Sequence, residues 1–180
     1  MAHGNRLHLM RWASSRPRKS AGANWATPEV LSIDTNILLY AQNRNCPEHQ
    51  PARAFIEQCV AREDVAICEL VLMELYQLLR NPAVLANPLG APDAAAICRA
   101  WRNNPRWALV ENAPIMEEVW HNAQRPGVAR RAVSDARIAL TLRHHGVTEF
   151  ATRNTADFQG FGFTHLINPI DNTDQAVHDA

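Results

Sequence analysis

The sequence of 180 residues lacks a long apolar run. Its longest nearly apolar stretch, from Leu70 to Leu79, contains Glu74 and Gln77 and is far shorter than the roughly 20 residues of a membrane-spanning helix. It also lacks an excess of either charge, since 18 basic and 18 acidic side chains cancel. With 47% hydrophobic and 20% charged residues, its composition is typical of a folded globular chain. We therefore expect neither a membrane-spanning protein nor a wholly disordered one.

Paired cysteine motifs are also missing. The four cysteines form no CxxC pair, and no histidines follow them at the spacing of a zinc finger. The amino-terminal segment contains no apolar stretch of the kind found in secretory signals. We therefore expect free thiols in a reducing, cytoplasmic environment, without disulfides or a structural zinc site.

Charge is distributed unevenly along the chain. Residues 1–28 carry five basic side chains and no acidic one, whereas 13 basic and 18 acidic residues follow from Glu29 onward. This first segment has no apolar periodicity, so we predict a basic, disordered extension. It is interpreted either as an RNA-contacting arm or as a variable addition, including upstream sequence from a misassigned start. Residues 29–170 are predicted to form one domain, and residues 171–180 a frayed acidic tail.

From Val30 onward, short β-type runs alternate with helical segments. This alternation is the pattern of an α/β protein with a central parallel sheet and crossover helices. Ser134 is predicted to cap the last long helix, which ends before Gly146. The predicted strands cover residues 30–33, 65–68, 107–110, 148–152 and 163–167, and the helices 37–41, 47–62, 69–80, 93–101, 114–124 and 134–145.

Four acidic residues occupy positions that conflict with solvation. Asp34 and Asp157 follow the first and fourth predicted strands, where an open α/β sheet binds ligands. Glu74 has leucines at i−4 and i+4, and Asp135 has apolar residues at i+3, i+4 and i+7. Each alone has an ordinary explanation: a cap, a helix-dipole effect or a buried pair with arginine. Together, four carboxylates at one end of a sheet indicate a site for a hard cation such as Mg²⁺ or Mn²⁺.

The four acids belong to four short motifs along the chain. These are Asp34-Thr35-Asn36, Leu72-Met73-Glu74-Leu75, Ser134-Asp135-Ala136-Arg137-Ile138-Ala139 and Thr152-Arg153-Asn154-Thr155-Ala156-Asp157-Phe158. Their order and spacing resemble those of a PIN-domain ribonuclease, and within that family the VapC toxins of bacterial toxin–antitoxin pairs. The resemblance covers roughly residues 30–169 and implies a three-layer α/β/α PIN-like fold around a parallel sheet. It also implies Mg²⁺- or Mn²⁺-dependent endoribonuclease activity, a cognate VapB-type antitoxin and a homodimer.

Hydrolysis of a phosphodiester requires an activated water molecule and stabilisation of charge on the phosphoryl oxygens, and divalent ions supply both. We expect Asp34, Glu74 and Asp135 to bind metal directly or through water. Many relatives carry an acid where this chain has Asn154, so either Asp157 or Asn154 is expected to complete the site. The short polar side chains expected to orient the carboxylates or water are Thr35, Asn36, Thr152 and Asn154.

An acidic site repels RNA, so basic groups are expected to flank it. The arginines near the acidic motifs, which are candidates for phosphate contacts, are Arg130, Arg131, Arg137 and Arg153. One alternative is a catalytically silent PIN-like module that only binds RNA or protein. Another is a phosphatase of the haloacid-dehalogenase type, but that chemistry uses a second aspartate two residues after the first, where this chain has Asn36.

Overall fold

The computed structural model describes residues 29–171. The predicted basic extension and all but the first residue of the predicted acidic tail lie outside this range. Within it, no helix has the length and apolar character needed to cross a membrane. The cysteines, all of which lie within the described residues, are free thiols, as predicted.

Five short parallel strands form one sheet in the order β3-β2-β1-β4-β5. The first strand is therefore central, and Ile33 at its end pairs with Ala151 of the fourth. Because all strands run the same way, their carboxyl ends share one edge. The strands are β1 (Leu31–Ile33), β2 (Val65–Cys68), β3 (Ala108–Val110), β4 (Glu149–Ala151) and β5 (His165–Ile167).

Within residues 29–171, six α-helices connect the strands and cover both faces of the sheet. They are α1 (Thr35–Gln42), α2 (His49–Cys59), α3 (Glu69–Leu79), α4 (Ala91–Arg102), α5 (Met116–Ala123) and α6 (Ala132–His144). The chain moves outward from β1 to β3 and then returns past β1 to β4. Right-handed crossovers place the helices of these two excursions on opposite faces. Accordingly, α1 packs on α2 and α3, α3 packs on α4, and α5 packs on α6, which confirms the three-layer α/β/α fold.

The central strand is anchored by the main core. Leu31 and Ile33 are fully buried, and burial of such a side chain stabilises the fold by about 1.5–3 kcal/mol. Every residue of β1 is buried, because helices cover both faces of the sheet, and backbone pairing with β4 fixes the register of the strand. Asp34, the next residue, is therefore held in a defined place at the edge of the sheet.

The predicted elements are confirmed, with one local correction at α6. Ser134 is not its N-cap, because the helix begins at Ala132 and Arg131 occupies the cap position without a side-chain hydrogen bond. The carbonyl of Arg131 already accepts hydrogen bonds from the N–H groups of Ser134 and Asp135, at 2.9 and 3.3 Å. Asp135 consequently lies in the first turn, where a carboxylate interacts favourably with the helix dipole.

Candidate active site

Asp34 joins the central strand to the first helix. Its N–H donates to the carbonyl of Ala151 at 2.9 Å, so the backbone pairing of β1 with β4 continues to this residue. Its carboxylate Oδ1 accepts the N–H of Thr35 at 2.7 Å and caps α1. Only 6% of the residue is exposed. The carboxylate is thus fixed by the strand pairing and by the helix that follows.

The hydroxyl of Thr152 connects the exits of β1 and β4. It donates to Asp34 Oδ2 at 2.6 Å and accepts hydrogen bonds from Asn36 Nδ2 at 3.1 Å and from the N–H of Asn154 at 3.0 Å. Asn36 Nδ2 also donates to Asp34 Oδ2 at 2.7 Å, and Asn36 Oδ1 accepts the N–H of Arg153 at 3.3 Å. This network orients Asp34 from a segment more than a hundred residues away in the chain.

Glu74 approaches the same edge of the sheet from α3. Its Oε2 accepts a hydrogen bond from the hydroxyl of Thr35 at 2.7 Å, and the side chain is partly buried beside Leu70 and Leu78. Among residues 29–171 no arginine forms an ion pair with Glu74, so the alternative of a buried Glu–Arg pair is not found. Thr35 therefore links the first two predicted acidic positions, because its N–H donates to Asp34 and its hydroxyl donates to Glu74.

Asp135 lies in the first turn of α6, and Asp157 lies close to that helix. Asp157 belongs to a short 3₁₀ helix, Thr155–Phe158, and pairs with Arg131 Nη2 at 3.1 Å. Its side chain does not cap that turn, whereas the main-chain carbonyl of Asn154 accepts its N–H at 3.0 Å. Within the described part of the chain, the Asn154 side chain makes no hydrogen bond. We call Asp34, Glu74, Asp135 and Asp157 the carboxylate cluster.

The members of the carboxylate cluster disturb one another's ionisation. Burial, assisted by the charges of Glu74 and Asp135, raises the pKa of Asp34 to about 7, although hydrogen bonds from Thr152 and the Thr35 N–H act in the opposite direction. Burial likewise raises the pKa of Asp135 to about 6, assisted by Asp157 and Glu74 and opposed by Arg131. The protein environment alone therefore disfavours the charged form of Asp34 and Asp135.

Hard oxygen donors of this kind fit a divalent cation, whose charge would offset both the burial and the mutual repulsion that raise these pKa values. The cluster is nevertheless open: within residues 29–171, no three His, Cys, Asp or Glu side chains form a ready-made cage for an ion. Mg²⁺ commonly keeps several water ligands and uses only one or two carboxylates. An open cluster is therefore compatible with coordination that is partly through water.

The four candidate arginines differ in their surroundings. Arg130 is exposed, Arg131 is held at the cluster by Asp157, and Arg137 Nη2 donates to Asn112 Oδ1 at 3.3 Å. Arg153 does not contact the carboxylate cluster, because its guanidinium forms an ion pair with Glu48, directly before α2. Three of the four therefore lie on the α6 side of the cluster, and one is committed to an internal contact.

The partner of Arg153 is a residue that the sequence did not reveal. Glu48, directly before α2, forms an ion pair with the Arg153 guanidinium, which also lies 5.8 Å from the centre of the Tyr40 ring. This contact tethers the loop that carries Thr152 and Asn154. Glu48 and Arg153 are 105 positions apart, so no local pattern could have indicated the pair.

Comparison with known proteins places this geometry in a family. The PIN domain family profile matches residues 31–163. The chain is 64% identical over 141 residues to ribonuclease VapC24 of Mycobacterium tuberculosis, covering 78% of this chain and 97% of that protein. It is 23% identical over 141 residues to ribonuclease VapC48 of the same organism, covering 77% and 97% of the two chains.

Solved structures agree at the level of the fold. Mycobacterium tuberculosis VapC20, a toxin that cleaves the sarcin-ricin loop, superposes with a TM-score of 0.53 at 18% identity, covering 67% of this chain and 86% of that one. FitAcB from Neisseria gonorrhoeae superposes with a TM-score of 0.50 at 20% identity, covering 78% and 98%. The sequence and fold together show that this chain belongs to the PIN domain family, as a VapC-type ribonuclease toxin.

Proposed function

We propose that the carboxylate cluster binds Mg²⁺ or Mn²⁺ and that the protein uses it to hydrolyse phosphodiester bonds of RNA. The observation that carries this proposal is the state of Asp34: it is 6% exposed, it forms no ion pair with a basic side chain among residues 29–171, and burial together with the neighbouring carboxylates raises its pKa. A protein keeps such a group when a bound cation compensates its charge. When bound, the ion activates a water molecule and stabilises charge developing on the phosphoryl oxygens.

Each member of the site has a proposed role. Asp34, Glu74 and Asp135 hold the ion directly or through water, and Asp157 completes the set because a carboxylate binds Mg²⁺ more strongly than the amide oxygen of Asn154. The polar side chains act on these carboxylates. Thr152 and Asn36 orient Asp34, Thr35 orients Glu74, and Asn154 holds the loop through its backbone, as their hydrogen bonds indicate.

The RNA backbone is proposed to lie along the α6 side of the cluster. Arg130, Arg131 and Arg137 are exposed there, and a positive charge at this place attracts phosphates on either side of the scissile bond. Arg131 is proposed to exchange Asp157 for a phosphate when RNA binds. Arg153 contributes less directly, through its ion pair with Glu48 and its backbone contact with Asn36.

Family membership supports a partner as well as a substrate. We propose a VapB-type antitoxin with an arginine-bearing segment that pairs with the carboxylate cluster, and a homodimer as the resting form, in the cytoplasm. An arginine guanidinium offers two parallel N–H donors to a carboxylate, which suits an acidic site without a cation. If such a partner binds a triple Asp34→Asn, Glu74→Gln, Asp135→Asn variant as tightly as the unmodified protein, this mode of inhibition is wrong.

The experiment that tests the activity is incubation of the purified protein with total RNA in Mg²⁺, Mn²⁺ or EDTA, with products separated on a denaturing gel. We expect cleavage in either metal and none in EDTA. Metal binding is measured independently by calorimetry on the same protein. Cleavage that persists in EDTA, or calorimetry that detects no binding at millimolar Mg²⁺ or Mn²⁺, would contradict the proposal.

A further inference from the structure

A cleft of about 190 Å³ opens between α3 and α6, beside the carboxylate cluster. Glu74 lines this cleft and also belongs to the cluster, so the two are continuous. Gln77 lies one helical turn beyond Glu74 on α3, and therefore on the same side of that helix. An RNA strand with a phosphate at the cluster consequently has the cleft directly beside it.

One part of the cleft wall is apolar. Leu70 and Ile138 are buried beneath it, while Met73 lies at its edge with 59% of its surface exposed. Apolar surface of this type packs against the faces of unstacked nucleobases, which single-stranded RNA presents to proteins. The apolar residues therefore suit a flat ring and not a charged ligand.

Besides Glu74 and Arg137, the remaining wall carries uncharged hydrogen-bonding groups. Gln77 and Ser134 are exposed, and within residues 29–171 neither side chain hydrogen-bonds to another group. An amide and a hydroxyl can each donate and accept, so the pair matches the mixed donor and acceptor edge of a base. The helical position of Ser134, inside the first turn of α6 and not at its cap, leaves its hydroxyl available for this contact.

Arg137 lines the cleft and places a positive charge at its rim. Its guanidinium donates a hydrogen bond to Asn112 Oδ1 at 3.3 Å. Phosphate contacts position a nucleic acid, whereas contacts to base edges specify its sequence. The cleft thus combines the three elements of a nucleotide subsite: an apolar surface, a polar edge and a cation.

We propose that this cleft is a nucleobase subsite, which takes one unpaired nucleotide next to the scissile phosphate of the RNA. Gln77 and Ser134 read the edge of the base, and Arg137 contacts its phosphate. The inference rests on the proposed function for the identity of the substrate. It adds sequence selectivity to that function, because the base bound in the cleft sets which phosphodiester bond lies at the carboxylate cluster.

The test for base reading is Gln77→Leu, with Gln58→Leu on α2 as a matched control because Gln58 is also exposed but lies on another helix. Each protein cleaves a random-sequence single-stranded RNA pool in Mg²⁺, and the product ends are sequenced. We expect a base preference at one position beside the cut, reduced about fivefold or more by Gln77→Leu and retained by Gln58→Leu. Ser134→Ala should reduce the preference at the same position.

The test for phosphate binding is Arg137→Gln, with Arg99→Gln on α4 as its control. Both are made in an Asp34→Asn background, so that a fluorescent six-nucleotide RNA stays intact while its anisotropy is measured in Mg²⁺. We expect Arg137→Gln to weaken binding of all sequences similarly and to lower the salt dependence by about one ion. The control should change neither quantity.

The outcomes separate this inference from the proposed function. An unchanged base preference and unchanged RNA affinity in both Gln77→Leu and Ser134→Ala overturn the nucleobase subsite, even if metal-dependent cleavage is normal. If the unmodified protein cleaves no RNA, the proposed activity fails. The anisotropy assay still decides the cleft, since equal binding by Gln77→Leu and Gln58→Leu overturns it. A Gln77→Leu variant that loses affinity for a VapB-type antitoxin but not for RNA identifies the cleft as a protein contact instead.

Discussion

Asp34 caps α1 and Asp135 lies in the first turn of α6, and both contribute to the carboxylate cluster, yet their surroundings differ. Asp34 is 6% exposed and accepts three hydrogen bonds from Thr35, Asn36 and Thr152. Asp135 is partly exposed, and no hydrogen bond to its carboxylate is found within residues 29–171. The positive charge that lowers the pKa of Asp135 is that of Arg131, which is itself 71% exposed and paired with Asp157.

The carboxylate cluster therefore has two halves. Asp34 and Glu74 form the rigid half, and Asp135 and Asp157 form the adaptable half. The Asp34 half is fixed by strand pairing and by hydrogen bonds that leave its carboxylate little freedom. The Asp135 half consists of charges on α6 and on the 3₁₀ helix after β4, and within residues 29–171 its ion pair is the exposed one between Arg131 and Asp157. If these carboxylates hold an ion, as we propose, a rigid ligand opposite one that is less firmly held suits a site that must release its product.

The largest expected effect comes from Asp34→Asn, which removes the charge of the rigid half. Because the ion would lose its most firmly placed carboxylate, we expect cleavage of RNA to fall by about 10²-fold or more. Circular dichroism should show an unchanged fold. Asp93→Asn, an exposed aspartate in the first turn of α4, is the matched control and should retain activity. Full activity in Asp34→Asn would remove this residue from the proposed site.

The same residue should make the stability of the metal-free protein depend on pH. A folded-state pKa of about 7, above the ordinary value of 3.8, means that the folded chain holds this proton more tightly than the unfolded chain. Stability is then greatest at low pH and is lost as pH rises toward 7, by about 2–3 kcal/mol between pH 5 and 8. Asp135, with a pKa raised to about 6, acts in the same direction.

Urea denaturation in EDTA at several pH values measures this dependence. We expect Asp34→Asn to flatten the slope between pH 5 and 8, because the neutral side chain does not titrate. Adding Mg²⁺ or Mn²⁺ at pH 8 should restore stability to the unmodified protein and not to the variant. A slope that is identical in the two proteins would show that other groups control the pH response.

Thr152→Val tests the hydrogen-bond network of the rigid half. Valine has nearly the shape of threonine, but it cannot donate to Asp34 or accept from Asn36 and the Asn154 N–H. We expect a loss of about 1–3 kcal/mol in the free energy of unfolding and roughly a tenfold loss of activity. Thr152→Ser keeps the hydroxyl and should recover most of the activity. Equal activity in both variants would assign no role to the hydroxyl.

The smallest effect is expected on the adaptable half, from Asp157→Asn. If Asp157 helps to hold the ion, this change should raise the Mg²⁺ concentration for half-maximal cleavage several-fold with little change in stability. The double variant with Asn154→Asp is informative, because restored activity would show that the two positions serve one site. An unchanged metal requirement in Asp157→Asn would limit this residue to its ion pair with Arg131.

Local sequence patterns predict much of this architecture. The alternation of short apolar runs and helical segments predicted all five strands and six helices, since burial on a sheet and on a helix face require different periods. The acidic positions also stood out, because Glu74 and Asp135 interrupt stripes of apolar residues that pack inward. The start of α6 was misplaced, because Ser134 has the chemistry of a cap but the preceding residues already follow helical geometry.

Local patterns in the sequence were enough to place the strands, the helices and the acids that lie where charge is costly. The tertiary fold determines how these elements meet: the return of the chain past β1 brings Thr152 against Asp34, and Glu48 against Arg153. It also decided that the carboxylate cluster is open and that a cleft continues from Glu74 to Gln77. Periodicity and capping act between residues within one or two helical turns. The contacts named here join residues far apart in the chain, so they depend on strand order and on packing across the sheet.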